Sequence, residues 1–167
     1  MIVSVALLAG GGCGAKSPDQ EITSIIKSIN DSNGKRLANF YSMYQQRHDF
    51  KGPADATVFK KFIATVNPAQ LEAMGVSAGG IEQLFVSERD GQPFDIRFAA
   101  ARPPGTGGHQ AVVFESKGFR GRVTVFMTGP KTVQVESAEV AAFKKGDRDE
   151  LPGSGSPPPP PQAGRGS

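Results

Sequence analysis

Residues 111–136, AVVFESKGFRGRVTVFMTGPKTVQVE, decide the fold. Residues 111–115, 122–127 and 132–136 are three runs rich in Val, Phe and Thr, the side chains that suit a pleated surface. Only Ser116-Lys117-Gly118-Phe119-Arg120-Gly121 and Thr128-Gly129-Pro130-Lys131 separate them. Parallel strands would need a long crossover, so these connections predict antiparallel hairpins. Upstream, Phe94, Ile96 and Phe98 alternate with Asp95 and Arg97, which predicts a further strand with one buried face. Downstream, Ser137 is the expected cap of a last helix over 138–145, with Val140 and Phe143 lying on the sheet.

Toward the N-terminus the apolar period changes from that of a strand to that of a helix. Ile22, Ile25, Ile26, Ile29, Leu37, Phe40, Tyr41 and Tyr44 share one helical face, and His48 continues the phase. The phase carries across Asp31-Ser32-Asn33-Gly34, which predicts one long helix of roughly 45 Å, weakest at Gly34. Two helices broken at Gly34 are the alternative. After Gly52-Pro53, Asp55 is placed to cap a second helix carrying Val58, Phe59, Phe62, Ile63 and Val66. Asn67-Pro68-Ala69-Gln70 combines a capping Asn, a Pro at the first helical position and a Gln three residues after the cap. A short third helix should therefore run to Met74 and stop at Gly75. Ile81, Leu84 and Phe85 then pack a short turn before Val86 leads into the strands. The expected class is α+β: a long N-terminal helix and short helices packed on one face of a four-stranded antiparallel sheet.

The ends of the chain differ in kind from this middle. Ile2-Val3-Ser4-Val5-Ala6-Leu7-Leu8-Ala9 is apolar but too short to span a bilayer, and Gly10-Gly11-Gly12 lead from it to Cys13, the only cysteine. Such a run reads as an export signal with its cleavage point. No Lys or Arg precedes it, which a start upstream of Met1 would explain. A buried N-terminal strand with an inert thiol is the alternative, disfavoured by three consecutive glycines. At the other end apolar residues nearly vanish from Gly146, and five prolines stand at 157–161. That tail is expected to be disordered, its prolines extended as polyproline II. It would be a ligand for a proline-binding groove, a segment reaching through a cell-wall layer, or a solvated tail without a partner. The expected divisions are 1–12 signal, 13–18 tether, 19–145 one α+β domain and 146–167 tail.

Residues 7–14 resemble the signal peptides of bacterial lipoproteins, in which a Leu, a small residue and a Gly or Ala precede the cysteine that receives the lipid. Leu8-Ala9-Gly10 is similar to that triplet, set two glycines further from Cys13. The resemblance implies diacylglycerol on the Cys13 thiol, cleavage before it, and acylation of the new amino group. Gly14 stands where an aspartate commonly retains such proteins at the inner membrane, so the resemblance implies a lipid-anchored, exported protein. The outer membrane facing the periplasm is favoured over the inner one. The expected partners are the membrane, through the lipid, and envelope proteins or cell wall.

Composition bounds the remaining chemistry. Nineteen basic and sixteen acidic residues are interspersed, giving a net charge of +3 without single-sign blocks, so no nucleic-acid partner is expected. With Cys13 lipidated, no thiol remains for a disulfide or a metal. The two histidines lack metal-ligand spacing, so no metal and no cofactor are expected. His48, near a helix end, is expected to be structural. His109 follows Gly105-Thr106-Gly107-Gly108, which lacks the Lys and Ser/Thr of a phosphate loop, and no G-x-S-x-G motif occurs.

No catalytic residue is therefore named, and the chain is not expected to be an enzyme. The candidate binding residues are Glu88, Arg89, Asp90 and His109. Glu88 and Asp90 would serve as an acid–base pair or a cation site, although Asp90-Gly91 between Phe85-Val86 and Phe94 is a stronger signal for a hairpin turn with its charges in water. A concave pocket lined by Glu88, Asp90, Arg97 or His109 would mark a ligand-binding module. Lys117, Arg120 and Arg122 around Phe119 form a basic hairpin suited to anionic lipid or nucleic acid, with a solvated loop as the default.

Asn33-Gly34-Lys35-Arg36-Leu37-Ala38-Asn39-Phe40-Tyr41, followed by Gly52-Pro53 and then by a meander, also resembles the layout of pseudopilin-like domains. That resemblance implies a secretion or pilus assembly component with an exposed apolar strip along the long helix.

Overall fold

The computed structural model describes residues 30–77, 79–101, 109–129 and 131–146. Within them the chain forms α1 (Asn33–Arg47), α2 (Ala56–Ala64), α3 (Pro68–Ala73), α4 (Ile81–Leu84), β1 (Asp95–Ile96), β2 (Ala111–Phe114), β3 (Arg122–Met127), β4 (Thr132–Glu136), a 3-10 turn (Ser137–Glu139) and α5 (Val140–Lys145). The four strands pair antiparallel in sequence order, the meander that the short connections predict. Val123↔Val135 and Val125↔Val133 set β-branched side chains opposite each other across β3 and β4. At the β2–β3 tip, Phe119 and Arg122 exchange backbone hydrogen bonds around Arg120 and Gly121, both at positive φ.

Helices cover both faces of this sheet, not one. Phe126 and Val113 join Leu37, Phe40, Phe59 and Ile63 in the larger core, under α1 and α2. Phe114, Val123, Val125 and Val135 point the other way and pack with Val140 and Phe143 of α5. The reason lies in β2 and β3, which are buried along almost their whole length and not on alternate residues. Strands with near-continuous apolar runs need cover on each side. A register irregularity between Ala111 and Val113 turns Val112 and Val113 to the same core, while Ala111 and Phe114 belong to the opposite one.

The long helix expected from the phase of the apolar residues is interrupted. Ser32 is extended, at φ −140° and ψ 157°, and its hydroxyl accepts a hydrogen bond from the Lys35 amide, so α1 starts at Asn33. A side chain that caps a helix competes with continuing it. Ile22, Ile25, Ile26 and Ile29, the first half of the expected helix, lie outside the described residues, as do Cys13 and the proline run.

Gly34 is not a break but a contact. A Cβ there would sit 2.3 Å from ring carbons of Phe126, so only glycine lets the first turn of α1 lie on the sheet. The buried face of α1, with Leu37, Ala38, Phe40 and Tyr41, is enclosed in the core. His48 caps the other end and stacks on Tyr44 at 4.0 Å.

The local caps otherwise behave as read. Asp55 accepts from the Val58 amide at 2.8 Å, and Asn67 accepts from the Ala69 amide at 2.9 Å with Pro68 beginning α3. Ser137 differs: its hydroxyl donates to the Gly121 carbonyl at 2.9 Å, so the last helical segment begins as a 3-10 turn without a side-chain cap. β1 is also shorter than the alternation of residues 94–98 predicts. Ala99 turns to positive φ and donates its amide to Pro53, which takes the chain out of the sheet.

Candidate functional site

Residues 87–92 form the Asp-Gly turn that the sequence predicts. Ser87 donates its amide to the Gln92 carbonyl, Gly91 donates to the Ser87 carbonyl, and Val86 pairs with Pro93 across the base. Gly91 takes φ +66°, a left-handed conformation for which glycine pays no steric penalty.

The charges on this turn do not stand free in water. Glu88 accepts from the Asn33 amide at 2.8 Å, at the start of α1. Arg89 forks onto Glu115, with its Nε at 2.8 Å and an Nη on the second carboxylate oxygen, and also donates to the Arg122 carbonyl. The Glu115 side chain is 4% exposed, and it accepts from the Thr124 amide as well. Asp90 accepts from the Gly118 amide at 3.0 Å and the Lys117 amide at 3.3 Å, both in the β2–β3 hairpin. Partial burial opposes ionisation of Asp90, but hydrogen bonds from the Gln92 amide, the Ser87 hydroxyl and these two amides outweigh it and hold its carboxyl below the usual range.

Glu88 and Asp90 are thus claimed by different elements, one by α1 and the other by the hairpin. The turn is a polar clasp joining α1, β2 and β3. Geometry does not aim the two carboxylates at one reacting atom, as an acid–base pair requires.

His109 belongs elsewhere. Its Nδ1 lies 2.6 Å from the Thr128 carbonyl, which can only accept, so Nδ1 carries the proton. It lines a groove of about 510 Å³ with α1 and α3, whereas Glu88 and Arg89 line another of about 410 Å³ with Lys35, Phe94 and Phe126. Arg97 lies apart from both grooves, its guanidinium beside Gly146 at the end of α5, and its carbonyl accepts from the buried Tyr41 hydroxyl at 2.7 Å. Burial pushes Tyr41 up to about 12.

On the basic hairpin, Phe119 is 56% exposed with the Arg120 guanidinium 5.1 Å from its ring centre, and Arg122 pairs with Glu136. Among the described residues, no three His, Cys, Asp or Glu side chains gather as a metal site would need, and no helix is long and apolar enough to cross a membrane.

Two features escaped sequence reasoning. Glu115, following four apolar residues, is the acid that Arg89 needs; an acid closing an apolar strand was the available signal. The other is a cleft of about 760 Å³ between the end of α2, α3 and the segment leading to α4, with Val66, Pro68, Leu71, Val76 and Ile81 in its walls. Mostly apolar clefts of this size suit small ligands or peptide side chains. No family model, curated protein or solved structure matches this chain.

Proposed function

We propose that this chain is a small lipid-anchored protein of the cell envelope, whose folded domain works through contacts with envelope proteins or cell wall and not through catalysis. The observation that carries it is the placement of the only cysteine, Cys13, directly after a short apolar run and three glycines. In the clasp, Glu88, Arg89 and Asp90 hold elements of the domain together, so these charges serve the fold. The exposed Phe119 and Phe50 offer contact surface outside the core.

Mass spectrometry of the mature N-terminus, with membrane fractionation of wild type and Cys13→Ala, tests the anchor. Expected are a cleaved, acylated Cys13 in the membrane fraction and a variant that is neither processed nor retained there. A soluble, unmodified wild type that keeps Met1 would refute it.

A ligand-binding role for the same domain is the second reading, favoured by the apolar cleft at Leu71 and Val76. It calls for saturable binding of an apolar fluorescent probe that Leu71→Asp abolishes. Equal binding by both proteins counts against it.

A further inference from the structure

β4 closes the sheet on one side, and the division of its backbone groups shows what its outer edge offers. The Met127 amide donates to the Lys131 carbonyl at 3.1 Å and the Ser137 amide to the Gly121 carbonyl at 2.9 Å, which fixes the phase of the ladder with β3. Bonded residues alternate along an antiparallel pair, so Val133 and Val135 bond to β3 while the amides and carbonyls of Thr132, Gln134 and Glu136 point outward. Among the described residues no strand or bridge pairs with that edge. We infer that it is a dimer interface, at which β4 of a second copy adds antiparallel about a two-fold axis through Gln134 and continues the sheet.

The two edges of the sheet differ. β1 is only two residues long, whereas β4 has five, pairs with β3 without a bulge, contains no proline and carries no charge at its centre, Val133-Gln134-Val135. Short strands, bulges, prolines and charges are the devices that keep an edge from pairing. The centre of β4 has none of them.

The sequence sets the register. A two-fold axis requires that residue i meet j and that j meet i. Centred on Gln134, Thr132 meets Glu136 of the second copy, Gln134 meets its own copy, and Val133 meets Val135. The outward groups of Thr132, Gln134 and Glu136 then form three hydrogen-bonded pairs with two bonds in each, about six in all. Val133 and Val135 face each other on the α5 side at about 4.5 Å between Cα atoms, so the core that holds Val135, Val140 and Phe143 runs on across the axis. Glu136 and its copy stand four residues apart along the strands, about 13 Å, so no like charges are opposed. Other registers do worse. An axis at Val133 calls on Pro130, which has no amide hydrogen, an axis at Val135 calls on Ala138 in the 3-10 turn, and an axis at Glu136 sets two carboxylates face to face.

The inference is independent of the lipid anchor and of the apolar cleft. Its test uses the full chain with Cys13→Ala, which leaves no native thiol. Sedimentation equilibrium is expected to show a mass that rises with concentration to twice that of the chain. Gln134→Pro removes an outward amide that β3 does not use, a position where an edge strand tolerates proline, and is expected to weaken dimerisation at least about tenfold with the circular dichroism unchanged. Should that variant not fold, Gln134→Lys decides with the same expectation, because residue 134 is exposed in the single chain and faces its own copy at the axis. Gln134→Cys is expected to oxidise to a disulfide-linked dimer, its two Cα atoms being about 5.5 Å apart, and Glu136→Cys to give none. A chain that stays monomeric at every concentration, a dimer that both Gln134 variants leave intact, assembly beyond the dimer, or linkage through position 136 as ready as through 134 overturns the inference.

Discussion

Removing the guanidinium of Arg89 would leave the Glu115 carboxylate enclosed with the Thr124 amide as its remaining partner. Deleting one partner of such a pair costs more than the pair contributes, because the charge left behind has lost its water. Arg89→Met is therefore expected to lower the unfolding free energy by about 3 kcal/mol, measured by urea denaturation. Adding Glu115→Gln should recover much of the loss, since the stranded charge is gone. Tyr41 gives the matching test for pH. Its ring is fully buried and burial raises its pKa from 10.0 to about 12, so the folded protein holds this proton more tightly than the unfolded chain does. The resulting stabilisation is complete below pH 10 and lost as the pH rises toward 12, amounting to roughly 3 kcal/mol. Tyr41→Phe should lack that part of the alkaline decline and show, at neutral pH, a loss of about 1 kcal/mol from the missing bond to the Arg97 carbonyl.

At the scale of elements, the contacts that were legible in the sequence are those closed within a few residues. Asp55 finds the Val58 amide and Asn67 the Ala69 amide, and the Asp-Gly turn closes within residues 87–92. Gly34 shows why other features were hidden. As a helix residue it looks like a defect, and its reason is Phe126, on a strand far along the chain. Glu88 and Asp90 stand out in the sequence as a polar cluster, but their partners at Asn33 and Gly118 come from distant elements, which no local pattern announces. Gly34→Ala separates the local effect from the distant one. Helix propensity favours alanine by about 1 kcal/mol. Against it, a Cβ at 2.3 Å from the Phe126 ring forces that ring off its edge-on contact with Phe94, and overpacking of this kind costs about 1–3 kcal/mol. The melting temperature is expected to fall, and a rise would mean that the ring moves without cost.

For the whole molecule, the consequence of covering both faces is that two cores share the same strands. Val113 and Phe126 serve the α1 side while Phe114 and Val125 serve the α5 side, along β2 and β3 alike. The short α5 is only six residues long and has no side-chain cap, so its helicity depends on Val140 and Phe143 being buried. Phe143→Ala removes the one aromatic side chain that α5 buries against the sheet, with an expected loss of about 3–5 kcal/mol. If the strands couple the two cores, the loss is not confined to α5. Amide exchange should then quicken together in α5, in β3 and in α1, and denaturation should remain a single transition at lower urea. Protection of α1 that survives while β3 loses its own would instead show that the helical layer holds independently of the far side of the sheet. Coupling is the expected outcome because β3 is buried at five of its six residues, so that releasing one face leaves its other face packed against a strand whose own support has gone.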